Sequence, residues 1–159
     1  MHIQNADSPQ LIDVVRMLFR EYEASIKVDL CFQGFEKELA GLPGEYARPS
    51  GRLLLAFEAG EIAGCGALRR LQDNVCEMKR LYVRPAQRGK AVGASLARAL
   101  IENAKTAGYA TMRLDTMPSM TRAIALYRSL GFREIEPYRF NPVPGALFFE
   151  LNLREVDAR

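Results

Sequence analysis

Residues 75–116 constrain this chain more than any other stretch. Val75 to Val83 reads as a strand ending in Leu81-Tyr82-Val83, and Arg84-Pro85 stops it because Pro cannot donate to a ladder. A basic, glycine-containing loop follows. Val92, Leu96, Leu100 and Ala104 then recur at fourfold spacing, which predicts an amphipathic helix closed by Gly108. Thr111–Thr116 is the next strand. A helix joining two strands predicts a crossover, and hence parallel neighbours in one sheet.

The flanking sequence fills in the sheet. Arg52–Glu58 and Ile62–Leu71 read as a hairpin turning at Ala59-Gly60-Glu61, and Gln72-Asp73-Asn74 makes the next turn. Downstream, Pro118-Ser119 opens a helix carrying Ala123, Leu126, Tyr127 and Leu130, closed by Gly131. Phe132–Tyr138 and Leu147–Leu153 read as final strands. Upstream, Met1–Ala6 is a candidate strand, and Ser8-Pro9 caps a helix with Ile12, Val15, Phe19 and Tyr22 on one stripe. A shorter helix is expected over Gly34–Leu42, before a Pro- and Gly-rich loop at 43–51. The predicted fold class is therefore α/β. One domain over 1–159 is expected, with a central, mostly antiparallel twisted sheet, one β-α-β crossover and helices on both faces.

Composition excludes several classes. No apolar run approaches the ~18–20 residues of a membrane helix, so no membrane partner is expected. Met1 to Asp7 lacks the pattern of a signal peptide. Cys31, Cys65 and Cys76, odd in number and without CxxC spacing, suggest free thiols in a reducing cytoplasm. With His2 as the only histidine, no metal site is expected.

Chemistry concentrates at Leu81–Ala94. A strand, a basic loop and a helix N-terminus together offer unpaired N–H groups and positive charge to an anion. Gly89 and Gly93 let a ligand approach the backbone, and Arg88 and Lys90 add charged donors, so phosphate or pyrophosphate is the natural guest. A Walker A loop is absent, since Gly89-Lys90 is followed by Ala91 rather than Ser or Thr. Gly64-Cys65-Gly66 lacks the third glycine and the following helix of a dinucleotide fingerprint. Nucleotide hydrolysis and NAD chemistry are thereby disfavoured.

Leu81-Tyr82-Val83-Arg84-Pro85 followed by Arg88-Gly89-Lys90-Ala91-Val92-Gly93 resembles the acyl-CoA-binding motif of the GNAT superfamily of N-acyltransferases. That motif is written Q/R-x-x-G-x-G/A, and Ala91 stands where a glycine is customary. Ala fits helical backbone, so altered packing with retained binding is expected. Ala123–Phe132 resembles the AxxLYxxxGF segment of the same superfamily, with Met120 where many members place Asn. The resemblance spans roughly Arg52 to Leu153 by element order.

The resemblance implies a GNAT-like fold and acetyl-CoA as co-substrate, lying in a split between the strands ending at Val83 and Thr116. The backbone of Leu81, Tyr82 and Val83 would pair with the pantetheine arm. Arg88, Gly89, Lys90, Ala91, Val92, Gly93 and Ala94 would cradle the pyrophosphate. A primary amine, preferably of a small molecule, would attack the thioester directly. Tyr127 is the implied general acid and Glu77 the candidate base, with Asp115 as a substitute. Strand alternation puts Glu77, Lys79, Leu81 and Val83 on one face unless a bulge intervenes.

The acceptor pocket is expected from the first two helices and the loops 43–51 and Tyr138–Gly145. Tyr22, Phe32, Phe35, Arg69, Tyr138 and Arg139 are its candidate lining. The cysteines read as small buried hydrophobes. Cytoplasmic location is expected, and the resemblance allows a homodimer.

Two other readings stay open. A domain of this fold could bind acyl-CoA as a sensor without catalysis. Lys79, Arg80, Arg84, Arg88 and Lys90 put five positive charges in twelve residues, which a nucleic-acid-binding module could use. No stacking-aromatic pattern accompanies them, so a nucleic-acid partner is not expected.

Overall fold

Alternation of small and branched apolar residues builds the middle of the sheet, and turn residues set its register. The computed structural model describes residues 1–27, 30 and 34–154. β2 (Arg52–Glu58) and β3 (Glu61–Gln72) form a hairpin across Ala59-Gly60, both in the left-handed conformation that matches strand twist. β4 (Val75–Val83) pairs antiparallel with β3, and β1 (His2–Asn5) pairs with β2, so the first strand is real. β5 (Thr111–Thr116), β6 (Arg133–Ile135) and β7 (Leu147–Asn152) complete a seven-stranded sheet of order β1-β2-β3-β4-β5-β7-β6. The mixed α/β architecture is the expected one, mostly antiparallel with β4–β5 as its parallel pair.

Among the described residues, four α-helices cover the sheet. α1 (Pro9–Ile26) and α2 (Phe35–Ala40) supply Val15, Leu18, Phe19, Phe35 and Leu39 to one core, against Leu53, Leu55, Cys65, Ala67 and Tyr82. Ser8 caps α1, its hydroxyl accepting from Leu11 N at 3.2 Å. α3 (Val92–Thr106) is the crossover helix; it buries Leu96, Leu100 and Ala104 on the opposite face with Tyr127 of α4 (Thr121–Ser129). Gly66 lies under α3 so closely that a Cβ there would sit 2.9 Å from Leu100 Cδ1. The Gly64-Cys65-Gly66 pair thus reflects close packing rather than phosphate binding. Among the described residues no helix is long and apolar enough to cross a membrane.

Three expectations need correction. The strand expected over Phe132–Tyr138 is only Arg133–Ile135, because Pro137 cannot donate and restricts the residue before it. The helix expected from Pro118 begins at Thr121, with Met120 at its N-cap making no side-chain capping bond. The shared face of Glu77, Lys79, Leu81 and Val83 does not form. Cys65 pairs with Tyr82 but Ala67 with Lys79, so β4 holds one extra residue, and Arg80 takes φ 60°. Beyond this bulge Leu81 and Val83 pack towards α3, whereas Arg80 and Tyr82 stay on the α1–α2 side with Glu77 and Lys79.

Candidate active site

β4 and β5 pair only at Val75–Thr111, Cys76–Met112 and Glu77–Arg113. Beyond Glu77 the two strands diverge, and the inner edge of β4 from Met78 to Val83 has no β5 partner. Backbone N–H and C=O groups left this way demand another partner. The wedge between the strands therefore suits an extended molecule carrying amides of its own.

A groove of about 750 Å³ continues from the wedge along the start of α3. Leu81, Tyr82, Val83, Arg88, Gly89, Ala91, Val92 and Gly93 line it, facing Met117, Met120 and Leu126. Gly89 is left-handed at φ 83°, and a Cβ there would meet nothing within 4 Å. α3 has no side-chain N-cap, so its first amides are available to an outside anion. Of the expected cradle residues, Lys90 and Ala94 do not line the groove; Lys90 Nζ donates to Gln87 Oε1 at 3.1 Å. The residues present fit an acyl-CoA: an amide-rich arm on the β4 edge and phosphates at the α3 start.

Ala91 departs from expectation. It is the N-cap of α3 at φ 62°, left-handed rather than helical. An L-residue there costs roughly 1–2 kcal/mol, partly offset by the greater unfolded-state freedom of Gly. Ala91→Gly is expected to stabilise the protein by about 0.5–1 kcal/mol, read as a higher urea midpoint at unchanged m-value.

The basic run is also redistributed. Lys79 and Arg80 are buried on the α1–α2 side, and Arg84 pairs with Glu21 at 2.7 Å. Arg88 is the member of the run whose side chain sits at the groove, its Nε donating to Val83 O at 3.2 Å. The five charges form no continuous surface, which removes the main support for nucleic-acid binding.

At the divergence of the strands lies a small cavity of about 50 Å³, lined among others by Lys79, Leu81, Asp115, Thr116, Tyr127 and Asn141. Tyr127 is 6% exposed and its ring packs 5.7 Å from Phe132 and 6.3 Å from Phe149. Burial, with lesser contributions from Tyr22 and Asp115, pushes its phenol above the usual range. It therefore stays protonated at neutral pH. Asp115 accepts from Asn141 Nδ2 at 3.1 Å and lies 3.7 Å from Arg139 Nε.

Glu77 is fully buried but lines neither this cavity nor the groove. Its carboxylate accepts from Arg69 Nε at 3.0 Å and Tyr138 Oη at 2.7 Å, and pairs with Arg139. On its side of the sheet a recess of about 390 Å³ is lined by α2, the 43–46 turn, Arg69, Lys79, Arg139 and Phe140. Of the elements expected to build an acceptor pocket, α2, the 43–46 turn and the Arg139-Phe140 loop line this recess, whereas no residue of α1 does. Arg69 and Arg139 line it, Tyr138 is turned onto Glu77, and Tyr22 borders the cavity and the groove. Phe35 is core, 1% exposed beneath the Arg80 guanidinium. Phe32 and Cys31 lie outside the described residues. Cys65 and Cys76 are buried, with burial pushing Cys76 up to about 12 and Cys65 higher, so neither thiol is a nucleophile.

Lys79, Arg80 and Glu38 were not anticipated here. Arg80 donates to both oxygens of Glu38, at 3.0 and 2.9 Å. The signal available was the adjacent Lys79-Arg80 in a strand whose other residues, Glu77 apart, are apolar or aromatic; the pair reads in sequence as part of a phosphate-binding run.

The family model of the Acetyltransferase (GNAT) family matches residues 13–132. An uncharacterized N-acetyltransferase of Schizosaccharomyces pombe is 40% identical over 91% of this chain and 90% of its own. The uncharacterized N-acetyltransferase YjgM of Escherichia coli is 30% identical over 82% of this chain and 78% of its own. Among solved structures, a GNAT-family acetyltransferase from Staphylococcus aureus aligns at TM-score 0.78 and 22% identity, covering 96% of this chain and 98% of that one. The yncA structure of Salmonella typhimurium, solved with its cofactor acetyl-CoA, aligns at TM-score 0.67 and 21% identity, covering 96% and 93%. By motif, fold and kinship, the chain belongs to the GNAT acetyltransferase family and is an acyltransferase.

Proposed function

We propose that the protein transfers an acetyl group from acetyl-CoA to the primary amine of a small molecule, by direct attack. The observation that carries this reading is the wedge between β4 and β5, which joins the groove at α3 to a small cavity holding Tyr127 and Asp115. Acetyl-CoA supplies the acetyl group as an activated thioester.

The chain's own residues supply position and proton control. The unpaired β4 edge orients the donor arm, and Arg88 with the first α3 amides holds its phosphates. Tyr127 holds a proton on Oη at the wedge and gives it to the departing sulfur. The dry surroundings that disfavour a phenolate also disfavour a thiolate, which keeps that transfer near balance.

The acceptor ammonium has to lose a proton before it can attack. Among the described residues Asp115 is the carboxylate that lines the cavity, and we give it that role. Glu77, engaged by Arg69, Arg139 and Tyr138, acts as a positioning residue that fixes those three side chains.

Acetyl-CoA is expected to raise the melting temperature, and an amine panel to give acetyl-CoA-dependent thiol release. Asp115→Asn should keep the thermal shift and slow thiol release by ~10²-fold. No shift with acetyl-CoA or CoA would refute the donor assignment; a shift without turnover of any amine would favour the sensor reading.

A further inference from the structure

The wedge cavity is small, and its size bears on the donor. At about 50 Å³ it holds about four water-sized groups. A carbonyl, a methyl and one attacking nitrogen fill such a space. Its lining offers polar groups in Asp115 and Asn141, and apolar ones in Ile26, Leu114, Met117 and Met120. Cavity and groove share Tyr22, Ile26, Leu81, Met117 and Met120, so these residues flank the point where the donor arm meets the reacting centre.

Met120 breaks a local rule at that point. It stands at the N-cap of α4, where Ser, Thr, Asp or Asn would bond the first amides, and it makes no side-chain capping bond. Its side chain is turned back towards β5 instead, where Sδ accepts from Thr116 Oγ1 at 3.6 Å. Met117 lies beside it, buried, its carbonyl accepting from the Met120 N–H at 3.0 Å. A cap forgone in favour of a side chain bordering two ligand spaces is the kind of local conflict that function imposes.

We infer that Met120 sets the length of the acyl group, holding the donor to acetyl by occupying the space that a third and fourth carbon need. This rests on the acetyltransferase reading above and deepens its donor side. Methionine is flexible and adapts readily to its neighbours, but the Thr116 hydroxyl pins this thioether and restricts its retreat. Discrimination of this kind is worth about 10-fold or more for each methylene.

Calorimetric titration with CoA, acetyl-CoA, propionyl-CoA and butyryl-CoA, no amine being present, reads the cavity without requiring transfer. Relative to acetyl-CoA, propionyl-CoA should bind ~10-fold more weakly and butyryl-CoA ~10²-fold. In Met120→Ala the affinity for butyryl-CoA relative to acetyl-CoA should rise at least ~10-fold. Met120→Leu, a swap of similar volume, should keep the wild-type ratio. Met120 is half-buried at a helix end, so Met120→Ala folds, which a melting curve verifies. Equal wild-type affinity for acetyl-CoA and butyryl-CoA overturns the inference, as does a ratio unchanged in Met120→Ala. A gain in Met120→Leu as large as that in Met120→Ala also overturns it, since volume is then not the determinant.

Thiol release from the same donors, with ethylamine, L-alanine and spermidine as acceptors, separates the two readings. Chain-length discrimination in binding, without turnover of any amine, upholds the gate while the transfer reading fails. Turnover indifferent to chain length upholds transfer and overturns the gate. Binding of none of the four CoA species overturns both.

Discussion

Tyr127→Phe is expected to lower kcat by ~10²-fold or more without loosening the fold, a usual scale for losing a positioned proton donor. The substitution removes one oxygen and leaves the ring against Phe132 and Phe149. Burial already holds this phenol protonated across the neutral range, so ionisation of Tyr127 should not limit the wild-type rate there. The acetyl-CoA-induced thermal shift should persist in the variant, because the groove along α3 is untouched. A wild-type kcat in Tyr127→Phe would remove this residue from the mechanism.

The second large effect is on stability. Glu38→Ala is expected to destabilise the protein by ~3 kcal/mol, since removing one member of a buried pair strands the other charge. Arg80 is 4% exposed, and both oxygens of Glu38 serve it; Tyr46 Oη donates to the same carboxylate at 3.0 Å.

The pair also sets an acid limb. Burial raises the Glu38 pKa, but the hydrogen bonds and charge of Arg80, with Lys79 and Tyr46, outweigh burial and hold it below the usual carboxylate value. A carboxyl depressed in the fold stabilises it above the unfolded pKa of about 4.3, and that contribution is lost as pH falls through the folded value. Denaturant melts from pH 6 down to 3 should show this limb in the wild type and a shallower one in Glu38→Ala. Equal acid limbs would show that the pair contributes little.

Most of the sheet order was legible because its determinants are local. The Gly60 turn, the fourfold stripe of Val92–Ala104 and the stop at Pro85 each act within a few residues. The groove was legible for the same reason, its strand, loop and helix start being contiguous. The acceptor side was not. Arg80 has no intrinsic preference for a positive φ, so nothing local announced the bulge, and alternation past it came out inverted. Its inward turn depends on Glu38, 42 positions earlier, and Glu77 meets Tyr138 from 61 positions away. Ala91 failed differently: helix periodicity located α3 correctly but said nothing of the left-handed residue that starts it.

The open edge of β4 has a consequence for solubility. An unpaired strand edge at the rim of a sheet is a template for the next chain, and proteins blunt such edges with charges or bulges. Here the unpaired stretch from Met78 to Val83 faces inward, across a cleft whose other wall is β5. A second protein strand cannot enter without prising the sheet apart, whereas a slender amide-bearing arm can slide in. The fold thus keeps a sticky edge permanently on offer and makes shape its gatekeeper.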